Sequence, residues 1–273
     1  MKTRWFHLVL VSCLSFSFGQ ALAQTGYQVS YHESAGNPGN LNLESDFHSI
    51  GWDTLAFPQK GSAAWFGPFS VPVDWQLLDR KVNRFWVSPN GLVTFCQPEA
   101  QPPAPVQLLP APSLPDSTIA CFWDGINPQP TRDVVLMKIF GQAPRRQWWI
   151  KWQVYGKEPV QRTLTSLVLE EHTQRLYLVD QYGSARAENL QTIVGLQISQ
   201  EEATLANATP TGLQSFVVSR FDNHYYQLEP LKNLSLQESP VSRSHFPSPI
   251  DPAEAYLLPD RKAAIPQDPR NRK

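Results

Sequence analysis

Methionine is almost absent from this 273-residue chain, at two residues, and charged residues make up only 17%, below the roughly 25% usual for soluble domains. In their place stand 25 prolines, 9 tryptophans and 14 phenylalanines, a balance that argues for β structure and turns. A basic field is missing too. The formal net charge is −1, so nothing draws in phosphate backbones or anionic lipids, and nucleic acid is excluded as a partner class. Beyond the amino terminus no stretch approaches the 18 or so apolar residues of a membrane span, which excludes an integral helical membrane protein. Zinc-protease HExxH helices, GxSxG hydrolase elbows, P-loops and dinucleotide fingerprints are all missing, and no cofactor is expected. His32, His48, His172, His224 and His245 are scattered, and none has another His or Cys at metal-ligand spacing, so they read as solvated loop residues.

What is present begins with a leader. The chain opens MKTRWFHLVLVSCLSFSFGQALAQ, with Lys2 and Arg4 ahead of an apolar run and Ala21-Leu22-Ala23 as a small-residue cleavage site before Gln24. This is the pattern of a secretory signal peptide over residues 1–23, and it predicts a secreted, periplasmic or cell-surface protein. The rival reading takes Leu10-Val11-Ser12-Cys13 as a lipoprotein box that would acylate Cys13. Against it, the apolar run continues past Cys13 through Phe16 and Phe18. After cleavage two cysteines remain, Cys96 and Cys121, and an even pair in an exported protein reads as a disulfide. Closing that loop would restrict the unfolded chain by roughly 3–4 kcal/mol, and two buried free thiols are the alternative.

With 41% hydrophobic residues the chain can build a real core, and its pattern has period two far more often than 3.6. Residues 147–155, QWWIKWQVY, place Trp148, Ile150, Trp152 and Val154 on one face of a strand. In 85–95, FWVSPNGLVTF, the Pro89-Asn90-Gly91 loop predicts a hairpin that pairs Ser88 with Leu92, Val87 with Val93 and Phe85 with Phe95. Residues 163–182 read as a second hairpin with Glu171-His172-Thr173-Gln174 at its tip. Further short strands are expected at 133–140, 191–199, 215–221 and 225–228. The expected fold is all-β, an antiparallel β-sandwich or jelly roll over residues 24–229. Residues 97–116 are so rich in proline that they read as an extended surface crossing. Residues 230–273 read as a mostly disordered tail in which Ala255-Tyr256-Leu257-Leu258 could dock on a partner by adding a strand.

Three candidate sites follow. Glycoside hydrolysis is the enzyme alternative, needing two carboxylates about 5–10 Å apart. Glu170 and Glu171 are the tempting pair, but neighbours on a strand point to opposite faces, leaving Asp124, Asp180 and Asp222 to long-range folding. In TIACFWDGINP, residues 118–128, a strand alternating Ile119, Cys121 and Trp123 against Ala120 and Phe122 ends at Asp124-Gly125. A turn explains that junction. Asp124 and Asn127 are the only metal candidates there, and two side chains fall short of the oxygen set calcium requires. On the strand 147–155, Trp149, Lys151, Gln153 and Tyr155 share the face away from the core, and two aromatic rings among polar groups suit a sugar or a protein partner if that face is open.

Taken in order, GNPGNLNLESD (36–46), GW (51–52), FGPFSVPVDW, FWVSPNGLVTF, IACFWDGI, WIKWQVY and LTSLVLEE with LYLVDQY resemble a β-sandwich module of secreted Bacteroidetes-type surface proteins associated with type IX secretion. They also resemble nidogen-like extracellular domains. The resemblance covers roughly residues 36–229. It implies adhesion or assembly at the cell envelope, with an envelope protein or glycan as partner, and no catalysis. Two departures from the pattern are Cys121, where the family tends to have Pro, and Gly125 in place of a second acidic residue. The first suits a bridge to Cys96, and the second weakens a calcium role.

Overall fold

The computed structural model describes residues 26–33, 35–57, 64–103, 106–123, 133–155, 162–183, 192–209, 212–213 and 223–231. All lie in a compact unit, Met1–Leu236; a second unit, Gln237–Lys273, falls outside the described residues. So do the leader with Cys13, the expected strand 215–221, the turn at Asp124 with Asn127, and Asp222.

The chain forms β1 (Tyr27–His32), β2 (Asp53–Ala56), β3 (Phe66–Ser70), β4 (Gln76–Leu77), β5 (Arg80–Lys81) and β6 (Arg84–Ser88). There follow β7 (Leu92–Thr94), β8 (Thr118–Trp123), β9 (Val134–Gln142), β10 (Arg145–Tyr155), β11 (Arg162–Glu170) and β12 (Leu176–Gly183). The last are β13 (Ile193–Gln197), β14 (Ala203–Leu205), β15 (Ala208–Thr209), β16 (Gly212–Leu213) and β17 (His224–Pro230). A seven-stranded sheet runs β1-β17-β12-β11-β10-β9-β2 and a six-stranded sheet runs β14-β13-β8-β7-β6-β3, every pairing antiparallel. The sandwich expected from the period-two pattern is the fold.

Its central core lies between the sheets. Trp148, Ile150 and Trp152 of β10 meet Phe85, Val87 and Val93, all essentially without solvent contact, and the Phe85 and Trp148 rings stand edge to face at 4.6 Å. Each such side chain contributes about 1.5–3 kcal/mol by leaving water. The β6–β7 hairpin has the register its turn dictates, with Val87 opposite Val93 and Ser88 opposite Leu92. Gly91 sits at φ 92°, and a Cβ there would meet the Cys121 carbonyl oxygen at 2.7 Å, so glycine is required on both counts.

Three expectations change in three dimensions. In β8 the alternation breaks, because Phe122 takes φ 55° and the ladder to β13 shifts by one residue, Trp123 pairing with Ile193 but Ala120 with Gly195. The bulge re-aims the strand end. Phe122 joins Ile119 and Cys121 in the central core, while Trp123 packs with Ala120 on the opposite face.

The Cys96–Cys121 bridge is the second correction, for neither cysteine stands in a disulfide. Register is the reason. The β7–β8 ladder pairs Thr94 with Thr118 and Leu92 with Ala120, so its continuation sets Cys96 opposite Asp116 and Cys121 beside Gly91, whose carbonyl accepts from the Cys121 N–H at 2.8 Å. That offset of five residues is about 17 Å along a strand, beyond the roughly 7 Å between Cα atoms that a disulfide tolerates.

Third, the proline-rich crossing is more than surface. Its Leu109, Ala111 and Leu114 are buried against Leu92, Ala120, Trp123 and Ile193 on the outer face of the six-stranded sheet. The outer face of the seven-stranded sheet is covered as well, with Trp52 packed on Leu136, Trp149, Val168, Tyr177 and Val179. The sandwich therefore has three apolar layers.

Candidate binding surface

The outward face of β10, a candidate binding surface if it were open, is interior. Trp149 and Lys151 are 0% and 1% exposed and Gln153 is 7% exposed; Tyr155 continues the strand opposite Arg162, its side chain outside the described residues. Residues 37–52 lie across this face and are held by polar capture. Gln147 Nε2 donates to the Pro38 carbonyl at 3.0 Å, and Trp149 Nε1 donates to Gln147 Oε1 at 3.1 Å. Lys151 Nζ donates to the carbonyls of Asp46 (3.2 Å) and His48 (2.5 Å) and stands 4.0 Å from the centre of the Trp52 ring. A buried ammonium is tolerable only with such partners. Asp46 Oδ1 accepts from Gln181 Nε2 at 2.7 Å and from Asn223 Nδ2 at 3.2 Å, which ties the covering segment to β12 and to the residue before β17. Sequence reasoning missed this cover because GNPGNLNLESDFHSIGW has no apolar periodicity to announce it.

The two glutamates at the β11–β12 hairpin diverge, as adjacent strand residues should. Glu170 accepts from Tyr177 OH (3.2 Å) and Gln147 Nε2 (3.3 Å). Glu171, 7% exposed, accepts from Arg146 Nε (2.8 Å) and Nη2 (2.5 Å) and from the Asp74 N–H (3.1 Å), while Gln174 Oε1 accepts from the Gln76 N–H (2.6 Å). The polar tip is thus a latch onto the 74–76 loop. Asp180, the other candidate acid among the described residues, is buried in β12 at 2% exposure.

Hydrogen bonds from Arg146 hold the Glu171 carboxyl below its ordinary 4.5, against the opposing effect of burial. A carboxyl whose folded value lies below its unfolded one stabilises the fold above about pH 4.5, and this contribution is lost as pH falls through the lower folded value. Thermal melts from pH 7 to pH 3 should therefore show a steep acid limb that is shallower in Glu171→Gln. An unchanged limb would assign the acid sensitivity elsewhere.

The open relief lies on the other sheet. Gln197 of β13, fully buried, staples the proline-rich crossing down. Its Oε1 accepts from the Ala111 N–H at 2.6 Å, and its Nε2 lies 3.1–3.3 Å from the carbonyls of Ala111, Leu114 and Pro115. The crossing covers β13, β8 and β7 but stops short of the β6 and β3 edge. There Trp86, outward because Phe85 and Val87 point inward, stands with Trp65, both half-buried, across from Pro98–Gln101 in a cleft of about 440 Å³. Gly67 forms part of that cleft; at φ 139° its Cβ would fall 2.8 Å from the Phe85 carbonyl oxygen and 2.9 Å from Trp86 Cδ1. A second cleft of about 430 Å³, lined by Cys96, Gln97, Ser113, Asp116 and Gln200 among others, shares Glu99 and Ala100 with the first. The signal for Trp86 was present in the hairpin register, whereas the clefts exist only because the crossing folds back.

Among the described residues no group of three or more His, Cys, Asp and Glu could hold a metal ion, and Asp124 and Asn127 lie outside them. No helix among them is long and apolar enough to cross a membrane. An antiparallel sandwich with both outer faces packed, whose acidic hairpin tip serves as a structural latch, defines the class as a β-sandwich module. A family model described as NIDO related, that is nidogen-related, matches residues 46–235, more than half of the chain, and the chain belongs to that family. The family is of a non-enzymatic, extracellular module type. No curated protein and no solved structure matches the chain.

Proposed function

We propose that the chain is an exported, non-catalytic binding module of the bacterial cell envelope or surface, acting in adhesion or assembly through an envelope protein or glycan. The nidogen-related match over residues 46–235 carries this reading, and the leader at 1–23 supports export. The alternative, a sandwich glycoside hydrolase, needs two carboxylates converging on one bond. It is disfavoured by Glu170 and Glu171, which are spent on separate structural contacts.

Expression of the full chain with its leader in a diderm bacterium tests the proposal. The expected product has Gln24 at its amino terminus, sits outside the cytoplasm and is retained on isolated envelopes without releasing reducing sugar from them. Retention in the cytoplasm with an intact leader would overturn the exported reading. Steady release of reducing ends would establish the hydrolase instead, and a lipid-modified Cys13 would assign the leader to the lipoprotein route.

A further inference from the structure

We propose that the two clefts on the outer face of the six-stranded sheet form one continuous track for a neutral polysaccharide, running from Trp65 and Trp86 over Glu99 to Asp116 and Gln200. The proposal rests on the reading of the chain as a binding module and gives that module a ligand class and a location.

Four observations carry it. The first is shape. Two open clefts of about 440 and 430 Å³ are both lined by Glu99 and Ala100, so an elongated ligand that passes over these two residues can occupy both. Each volume falls in the range of roughly 300–1,000 Å³ usual for ligand sites.

The second is the pairing of aromatic and polar groups. Trp65 and Trp86 are half-buried, so each ring keeps an open part in the first cleft, where Glu99 and Gln101 are exposed. An indole offers a flat apolar face to the axial C–H groups of a pyranose, and a neighbouring carboxylate and amide satisfy its equatorial hydroxyls. Both rings are seated. Trp65 packs partly against the outer core, with its Nε1 out of solvent and without a hydrogen-bond partner, and Trp86 lies against Gly67, where any side chain would displace it.

The third is charge. The residues lining the two clefts include the carboxylates Glu99 and Asp116 and no Lys or Arg. An anionic polymer would be repelled where the two clefts meet, at Glu99, and again at Asp116. In the second cleft the lining groups besides Glu99 and Asp116 are neutral, with Ser113 Oγ donating to Gln107 Oε1 at 2.8 Å and Gln200 Nε2 within 3.3 Å of Asp116 Oδ1. Hydroxyl groups can exchange into such contacts at little cost.

The fourth is rigidity. Residues 111–115 of the crossing, which help to wall the second cleft, are held by Gln197 from β13 and by Gln200 Nε2 donating to the Leu114 carbonyl at 2.7 Å. A wall set before the ligand arrives loses little ordering entropy on binding. A proline-rich peptide also favours paired indoles, yet its prolines have no N–H to donate to the Glu99 and Asp116 carboxylates, which stand beside Pro112, Leu114 and Pro115 in the second cleft. A glycan uses both halves.

The experiment titrates the purified mature chain with neutral hexasaccharides of β-1,4-glucose, α-1,4-glucose, β-1,4-xylose and β-1,4-N-acetylglucosamine. Polygalacturonate and decaproline are run alongside, with tryptophan fluorescence and calorimetry as readouts. At least one neutral hexasaccharide is expected to bind and to perturb the fluorescence, while polygalacturonate does not bind. Trp86→Ala should weaken that binding about tenfold or more, as hot-spot aromatics do, and Glu99→Ala combined with Gln101→Ala should weaken it without shifting the melting temperature. The exposed pair keeps the test decisive if Trp86→Ala folds poorly. The proposal is overturned if no neutral saccharide binds, if decaproline binds in their place, or if saccharide binding survives both sets of substitutions. Because the assay uses purified protein, its failure would leave the export and envelope-retention results standing as separate outcomes.

Discussion

Replacing Trp149 with Ala is expected to cost the folded domain about 3–5 kcal/mol, the penalty for deleting a large buried aromatic, and to lower its melting temperature by roughly 10 °C or more. Trp149 has no solvent exposure and sits in the layer formed with Trp52, Leu136, Val168, Tyr177 and Val179. Its ring also stands 6.0 Å from Phe140, edge to face, and Phe140 in turn meets Trp52 at 5.7 Å. Deletion would leave a cavity beneath the 37–52 segment and an unanswered Gln147 Oε1. Urea unfolding of the variant measures the loss. A shift within about 0.5 kcal/mol, the range of ordinary surface substitutions, would mean that the face is open and would return it to the list of binding surfaces.

The second large effect is expected at Gln197. Gln197→Leu keeps the volume of the side chain but leaves the Ala111 N–H and the carbonyls of Ala111, Leu114 and Pro115 without their partner in a buried setting. Unsatisfied backbone groups cost about 1–3 kcal/mol each. Solvent can reach some of them once the crossing lifts, so a total near 3 kcal/mol is expected. The signature is local. Hydrogen exchange at the Ala111 and Leu114 amides should accelerate far more than at β10 or β11, and saccharide binding should weaken even though Gln197 does not line the clefts. If exchange rises uniformly through the domain, the crossing is not an independently released element.

Much of the fold was legible along the chain. A half-buried strand must alternate, so QWWIKWQVY marked β10 and assigned Trp148, Ile150 and Trp152 to the core. Turn stereochemistry carried the hairpin at 85–95 as far as its register, because Gly91 alone can take the left-handed position and the pairing of Ser88 with Leu92 and of Val87 with Val93 then follows. Adjacency on a strand also foretold that Glu170 and Glu171 would diverge. The candidate site was far less legible. The outward half of β10 reads the same whether water or a packed segment covers it, and the segment that covers it is polar and aperiodic.

The sequence by itself determined the all-β class, the strands about 85–95, 133–140, 147–155 and 163–182, the hairpin register and which face of β10 meets the partner sheet, since these depend on spacing of two and on local turn geometry. Only the tertiary structure decided three further matters: that residues 37–52 and 97–116 fold back as outer layers, that a bulge turns Phe122 inward and Trp123 outward, and that Cys96 and Cys121 stand apart on their ladder. The physical reason is common to all three. Alternation and turns are interactions among near neighbours, readable from composition at fixed spacing. The outer layers and the bulge depend instead on single polar side chains such as Gln147, Lys151 and Gln197 finding backbone groups more than 80 residues away, and on which strand lies alongside, neither of which leaves a periodic trace.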